Sequence, residues 1–121
     1  MVMPKKDKSV QGIATLDSQL FIVRYESQQI DIYNTRDFTE TGHVTVKGMK
    51  YPRSLVACSH YNCLYVSDLS RYIHRVELSN KSVTKWTVNG EPYDLSLTTA
   101  HNVIVTLHDF EAIRELSLIH I

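Results

Sequence analysis

The stretch CLYVSDLSRYIHRVELSN, residues 63–80, decides the fold. It consists of a short run rich in β-forming residues, a polar break of about five residues, and a second run in which apolar and polar residues alternate. Two other stretches have the same design: QLFIVRYESQQIDIYN at residues 19–34 and NVIVTLHDFEAIREL at residues 102–116. This recurrence predicts a repeated structural unit.

Two independent sets of apolar anchor residues give the length of the repeat. In one set the spacings are 44 and 39 positions, and in the other they are 43 and 40. The first set is Leu20, Leu64 and Val103, and the second is Ile30, Ile73 and Ile113. Agreement between the two sets indicates a period near ~40 residues.

Each unit also has a strand before this pair, and the first two units have a strand after it. The preceding segments are GIATL, RSLVAC and YDLSLT, and the following segments are GHVTV and SVTKWTV. Gly48 and Gly90 mark corresponding crossings from one unit to the next. The runs are short, rich in Val, Ile, Thr and Tyr, and have a period of 2, so a helix fits them poorly. Four antiparallel strands every ~40–45 residues predict an all-β protein: an incomplete β-propeller of consecutive four-stranded blades.

The segment YVSDLSRYIHRVELSN resembles the NHL-like and related TolB-like six-bladed propellers, which often contain YVSD, a gap and then I-x-R-V. The resemblance extends over about two and a half blades, from about Gly12 to Leu116. The first and third units depart from it, because Arg24 and Leu107 stand where the second unit has Asp68. The resemblance implies the fold more strongly than a function, since propellers serve many roles.

These patterns predict a lead at residues 1–11, expected to be disordered, a first blade at 12–48, a second at 49–90 and a partial third at 91–116. Six blades of ~40 residues need ~240 residues, so the 121-residue chain is expected to be part of a longer propeller. An open arc leaves apolar flanks and strand edges uncovered, so the chain alone is expected to be marginally stable.

The ending LSLIHI, residues 116–121, resembles a one-frame translation of the transposase end sequence used in preparing sequencing libraries. These residues are therefore expected to be non-native. The alternative is that they form the natural third strand of the third blade, because Leu116 fits the apolar alternation.

The composition fits one small domain, with 43% hydrophobic residues and a formal net charge of zero. A zero balance argues against nucleic acid as the main partner, although a local basic face is compatible with it. No apolar run approaches the ~20 residues that span a bilayer, so no membrane partner is predicted. The opening MVMPKKDKSV lacks the apolar core of a secretory signal. Two cysteines are too few for a disulfide scaffold, so a reducing, cytoplasmic compartment is the default expectation.

The two cysteines, Cys58 and Cys63, lie on either side of the four-residue turn SHYN. Two interpretations are open: two free thiols, or a disulfide across the hairpin, where opposing Cβ atoms are ~4.5–5.5 Å apart. A metal site is disfavoured because Cys-x-His-x-x-Cys supplies three ligands and no second cluster completes a tetrahedral set. A catalytic thiol is disfavoured because the sequence places no base beside it.

In a propeller, the loops between the second and third strands and the crossings between blades emerge on one face, which commonly carries binding. The residues expected on this face are Arg24, Tyr25, Lys47, Lys50, Tyr51, Arg53, Arg71, Tyr72, His108 and Phe110. Arg and Tyr are enriched at interaction hot spots. The favoured hypothesis is therefore a non-catalytic scaffold that binds protein through this face and packs against the remaining blades of its parent propeller.

Two alternatives belong to other classes. The resemblance to NHL-like propellers implies RNA binding, for which KGMKYPR at residues 47–53 would supply a basic, aromatic patch. The second alternative is part of a calcium-dependent six-bladed hydrolase of the lactonase type, but the innermost strands offer only Asp94 as a carboxylate. No catalytic, cofactor-binding or metal-ligating residue is predicted.

Polar residues within the repeats have structural interpretations. His43 and His74 are expected at exposed strand positions. Asp68 and Arg71 are expected to close their loop through an Asx-type turn and charge pairing.

Overall fold

The computed structural model describes residues 8–108 and 113–119, with side chains up to Leu107. Eleven β-strands occur in these residues, and no helix does. Within the same residues, therefore, no helix is long and apolar enough to cross a membrane.

The strands form three sheets in chain order. The first sheet contains β1 (Val10–Leu16), β2 (Gln19–Arg24), β3 (Gln29–Asn34) and β4 (Glu40–Thr45). The second contains β5 (Pro52–Cys58), β6 (Cys63–Asp68), β7 (Tyr72–Glu77) and β8 (Val83–Thr87). The third contains β9 (Glu91–Leu97), β10 (Val103–His108) and β11 (Ile113–Ile119).

Within each sheet, every strand pairs antiparallel with its neighbour in sequence, and the sheets follow one another without exchanging strands. The protein is therefore all-β, an incomplete β-propeller whose consecutive four-stranded antiparallel sheets do not close into a ring, as the sequence predicts. The third sheet has three strands in the described residues. The first strand begins at Val10, inside the segment expected to be a lead.

The first anchor set occupies equivalent places in the three sheets. Leu64 packs toward the first sheet and Val103 packs toward the second, so both lie on the flank that faces the preceding sheet. Leu20 lies at the corresponding point of β2, opposite Tyr33 on the next strand, as Leu64 lies opposite Val76. This equivalence confirms the repeat.

The second anchor set is correct for two members and wrong for the third. Ile30 pairs with Val23, three positions after the anchor Leu20. Ile73 pairs with Ser67, three positions after the anchor Leu64. In the third sheet that residue is Thr106, and its partner on β11 is Leu116, not Ile113. The connection between β10 and β11 is longer than its equivalents, because Thr106 and Leu116 are ten positions apart, whereas Val23 and Ile30 are seven apart and Ser67 and Ile73 are six apart. A register shift between Leu107 and His108 contributes one residue of this extra length.

Two apolar layers hold the sheets together. Phe21, Val23, Leu64 and Val66 belong to the layer between the first and second sheets. A second layer, between the second and third sheets, is built around Tyr65, Ile73, Leu95, Val103 and Val105. All six residues of β6 are buried, because the middle sheet has a neighbour on each face. Each fully buried large apolar side chain contributes about 1.5–3 kcal/mol relative to an exposed one.

The crossings between sheets use glycine where the backbone requires it. Gly48 has a φ of 87° and Gly90 a φ of 138°. Residues with a side chain rarely adopt these values, so glycine is the least strained choice at both points. The two predicted crossings are confirmed in position.

Candidate interaction face

Loops from neighbouring sheets meet at one end of the arc, which we call the crossing face. It contains the loops at residues 25–28 and 69–71 and the crossings at residues 46–51 and 88–90. The opposite end, called the turn face, contains the turns at residues 17–18, 35–39, 59–62, 78–82 and 98–102. This division follows from the antiparallel path of each sheet and gives the expected site residues a shared location.

Asp68, the last residue of β6, fixes the backbone of the crossing face. Its side chain is fully buried. Oδ2 accepts a hydrogen bond of 2.9 Å from the Lys50 backbone N–H, and Oδ1 accepts one of 3.0 Å from the Tyr51 backbone N–H. The same carboxylate contacts Nε2 of His74 at 3.0 Å. The crossing into the second sheet is therefore attached to the interior of that sheet.

Of the two contacts predicted to close the loop after Asp68, the Asx-type turn is present and the charge pair with Arg71 is not. Oδ1 of Asp68 accepts hydrogen bonds from the backbone N–H and the hydroxyl of Ser70, which is the expected Asx-type turn. The expected charge pairing with Arg71 is wrong, because the ion-pair partner of Asp68 is His74. Arg71 is exposed, and its backbone N–H donates to the Asp68 carbonyl.

The environment of Asp68 favours its charged form. Burial by itself raises the pKa of a carboxyl group. The hydrogen bonds from His74, from Ser70 and from the Lys50 backbone outweigh burial and hold the pKa of Asp68 below its usual range. Asp68 is therefore a buried carboxylate, not a neutral acid, at ordinary pH.

The first sheet has an ion pair at the equivalent position, with the carboxylate on the other strand. Nε of Arg24 lies 3.1 Å from Oδ2 of Asp31, and both residues are buried. Arg24 also donates through Nη1 to the Lys8 carbonyl, at 3.1 Å. Arg24 was expected on the exposed loop face; the structure instead places it inside, where it ties the chain before β1 to the sheet. The third sheet has Leu107 at this position, and Leu107 is buried.

His74 is buried as well, so the expectation of an exposed strand position is wrong. His74 faces the first sheet, across from Val66 on β6. The repeat could have identified this buried position. Asp31 is the residue of the first sheet that is equivalent to His74, and its partner Arg24 is equivalent to Asp68, the partner of His74. His43 is exposed, as expected.

Tyrosines and lysines lie at the surface around the buried pair of Asp68 and His74. The rings of Tyr25 and Tyr51 are 5.9 Å apart and tilted by 36°, and Nζ of Lys50 lies 5.6 Å from the Tyr51 ring centre. Nζ of Lys85 lies 4.3 Å from the ring centre of Tyr72. We call these five residues the junction surface, because they lie where the first sheet crosses to the second.

The remaining expected residues divide into three groups. Arg53 lies over the ring of Tyr93 at 4.5 Å, between the second and third sheets, and both residues are half-buried. Lys47 and Arg71 are exposed on the crossing face. The side chain of His108 and all of Phe110 lie outside the described residues. The structure therefore brings together Tyr25, Lys50, Tyr51 and Tyr72 and separates them from Arg24 and Arg53.

Cys58 and Cys63 are directly opposite each other across the β5–β6 hairpin. Both are buried and unlinked in this structure. Burial raises the pKa of the Cys63 thiol, because the thiolate is poorly solvated there. A raised pKa lowers the thiolate fraction that reacts. Among the described residues, no group of three or more His, Cys, Asp or Glu side chains is arranged to hold a metal ion.

Comparisons with known proteins define the fold and no family. No protein-family model matches the chain, and no curated protein does. A chain of the hydrazine synthase of Kuenenia stuttgartiensis is among the solved structures that match, with a TM-score of 0.74 and 19% sequence identity. The match covers 84% of this chain and 30% of that one, so this chain spans less than a third of the length of its structural neighbour. Similarity at this identity shows the β-propeller-like fold alone.

Proposed function

We propose that this protein is a non-catalytic interaction scaffold that binds a protein partner through the crossing face of a six-bladed, NHL-like β-propeller. The junction surface is the observation that carries the proposal. It combines a half-exposed tyrosine, Tyr25, with Tyr51, Tyr72 and two lysines at one junction between sheets. Aromatic residues are enriched among those that dominate binding energy.

The rigidity of this surface supports a binding role. Asp68 holds the backbone of Lys50 and Tyr51, so the side chains of both residues start from a fixed point. A fixed surface loses less conformational entropy on association than a mobile loop does. The lysine–tyrosine contacts also restrict the side chains before a partner arrives.

A second candidate function is RNA binding. Lys47, Lys50, Arg71 and Lys85 are exposed cations near exposed or half-exposed tyrosines. Phosphate contacts release counterions, so RNA binding would weaken steeply with rising salt. The calcium-dependent hydrolase remains a prediction for a longer chain, and it would require calcium-dependent stabilisation together with esterase turnover.

Site-specific photo-cross-linking tests the proposal. A benzoylphenylalanine placed at Tyr51 of the full-length protein, in cells of its natural source, is expected to form protein adducts. Phe38 is the control position, because it is an exposed aromatic residue on the turn face (44%), whereas Tyr51 is half-buried, so greater accessibility cannot explain stronger cross-linking at Tyr51. Adducts that protease removes and RNase leaves intact support protein binding.

Two results would contradict the proposal. Equal cross-linking at positions 51 and 38 would mean that the crossing face has no special role. Adducts that RNase removes would replace the proposal with the RNA-binding candidate.

A further inference from the structure

We infer that the partner segment that the junction surface binds is an acidic peptide, whose carboxylates sit against Lys50 and Lys85. This inference rests on the proposed function and adds the chemistry of the ligand. The supporting observations are the charge of the loops between the first and second sheets, the burial of Asp68, and the contacts between the lysines and the tyrosine rings.

The described loops that meet between the first and second sheets have an excess of positive charge. The loops at residues 25–28 and 69–71 and the crossing at residues 46–51 contain Lys47, Lys50 and Arg71 and one carboxylate, Glu26. The turns of the opposite face are balanced, with two cations, Arg36 and Lys81, and two carboxylates, Asp17 and Asp37. Because the whole chain has no net formal charge, this is a local asymmetry, and it favours an anionic partner.

Lys85 extends this basic surface from the outermost strand of the second sheet. A Cβ atom built on Gly48 would lie 3.6 Å from Nζ of Lys85, so the ammonium group lies against the crossing that carries Lys50. The ion pairs seen within the described residues join Arg24 to Asp31, Asp68 to His74 and Arg75 to Glu77, and none of these pairs involves a lysine. The exposed ammonium groups are therefore open to an anionic ligand.

Asp68 does not neutralise these lysines. Its carboxylate is buried and accepts hydrogen bonds from the two backbone N–H groups of the crossing, from Ser70 and from His74. Asp68 therefore acts on the backbone of Lys50 and leaves its ammonium group at the surface.

The tyrosine rings favour a carboxylate ligand over a nucleobase. Single-stranded RNA gains much of its affinity by stacking bases on open aromatic faces. Here Lys50 covers the ring of Tyr51, on which Tyr25 also packs, and Lys85 covers the ring of Tyr72. A base would have to displace these contacts. A carboxylate would bind the ammonium groups while their stacking on the rings is kept.

Fluorescence anisotropy with a labelled oligoglutamate peptide tests the inference. The full-length protein is expected to bind oligoglutamate at low salt more tightly than oligouridylate of equal length, and not to bind oligolysine. The double variant Lys50→Gln, Lys85→Gln is expected to bind oligoglutamate about five- to tenfold more weakly, since exposed ion pairs are weak individually. The control Arg36→Gln, Lys81→Gln changes net charge equally on the turn face and is expected to alter affinity less than about twofold.

The inference is overturned if the Lys50, Lys85 variant binds oligoglutamate as the unaltered protein does, or if oligouridylate binds more tightly and that variant loses it. Circular dichroism and thermal unfolding of both variants establish that folding is unchanged. Failure here is distinguishable from failure of the proposed function. Protein adducts at position 51 without oligoglutamate binding would reject the acidic ligand and retain a protein partner.

Discussion

Asp68 shows how one side chain can set the geometry of a surface without being part of it. A buried carboxylate is costly to desolvate, and the cost is offset only when its oxygens are fully paired. In this protein the two oxygens accept bonds from two backbone N–H groups, from Ser70 and from the His74 ring, at 2.7 to 3.0 Å. Removing the charge should therefore affect both folding and the position of Lys50 and Tyr51.

Asp68→Asn is expected to reduce the free energy of unfolding by about 3 kcal/mol, because an amide of similar size accepts fewer bonds and removes the charged acceptor from the buried backbone N–H groups and the His74 ring. Urea denaturation followed by circular dichroism measures the loss. Asp94→Asn is the control, since Asp94 is an exposed carboxylate on β9, and a change within about 0.5 kcal/mol is expected. Equal losses in the two variants would show that Asp68 is not a special carboxylate.

The lowered pKa of Asp68 also predicts how stability depends on pH. Its hydrogen-bonded carboxylate has a lower pKa in the folded state than in the unfolded state, where about 3.9 is expected. This contribution is complete above the unfolded pKa and is lost as the pH falls through the folded one. Unfolding free energy measured below about pH 4 should therefore fall more steeply in the unaltered protein than in Asp68→Asn. Parallel curves would contradict this account.

At the scale of the element, close approach between the first and second sheets depends on a glycine in β1. A Cβ atom on Gly12 would lie 3.0 Å from Cγ2 of Val23 and 3.1 Å from the Leu55 backbone nitrogen. Backbone cannot move aside as a flexible side chain does, so the added methyl group would separate the sheets. The sequence alone does not reveal this, because a glycine in a strand has several explanations.

Gly12→Ala is expected to lower the unfolding free energy by about 1–3 kcal/mol through overpacking. Gly42→Ala supplies the matched control, since nothing lies within 4 Å of its built Cβ, and alanine in a strand should be neutral or stabilising by about 0.5 kcal/mol. Thermal unfolding of the two variants distinguishes these outcomes. A larger loss for Gly42→Ala than for Gly12→Ala would refute the packing argument.

The β5–β6 hairpin gives a prediction about its cysteines. Both thiols are buried and burial raises the pKa of Cys63, so iodoacetamide should modify neither in native buffer at neutral pH and both in urea. Mass spectrometry without reductant counts the adducts. Absence of adducts in urea would favour the alternative interpretation, a disulfide between opposed residues of the hairpin.

The strands could be predicted from sequence because alternation and turn residues are local properties. The environment of the polar residues within them could not. In an isolated sheet, the polar residues of an alternating strand face solvent, which led to the wrong expectation for His74. Arg24 was expected in the loop after β2, but it is the last residue of that strand and is buried. In stacked sheets both faces are covered, and a polar residue such as Asp31 is buried with a partner from the neighbouring strand. The anchor spacing predicted the repeat but missed the longer connection between β10 and β11.

At the scale of the whole molecule, the sheets are linked in a row. The first apolar layer joins the first and second sheets and the second layer joins the second and third. In such arrays stability is approximately the sum of each unit's own stability and the nearest-neighbour interfaces. A substitution that weakens one apolar layer should therefore destabilise mainly the two sheets that this layer joins.

Ile30 and Ile73 allow a matched test, because they are equivalent residues of successive sheets, each fully buried, in different layers. Replacing either with valine removes one methylene and should cost about 0.5–1.5 kcal/mol. Ile30→Val is expected to accelerate amide hydrogen exchange in the first and second sheets, and Ile73→Val in the second and third. Exchange that accelerates equally in all three sheets for both variants would mean that the arc unfolds as one cooperative unit, contrary to this description.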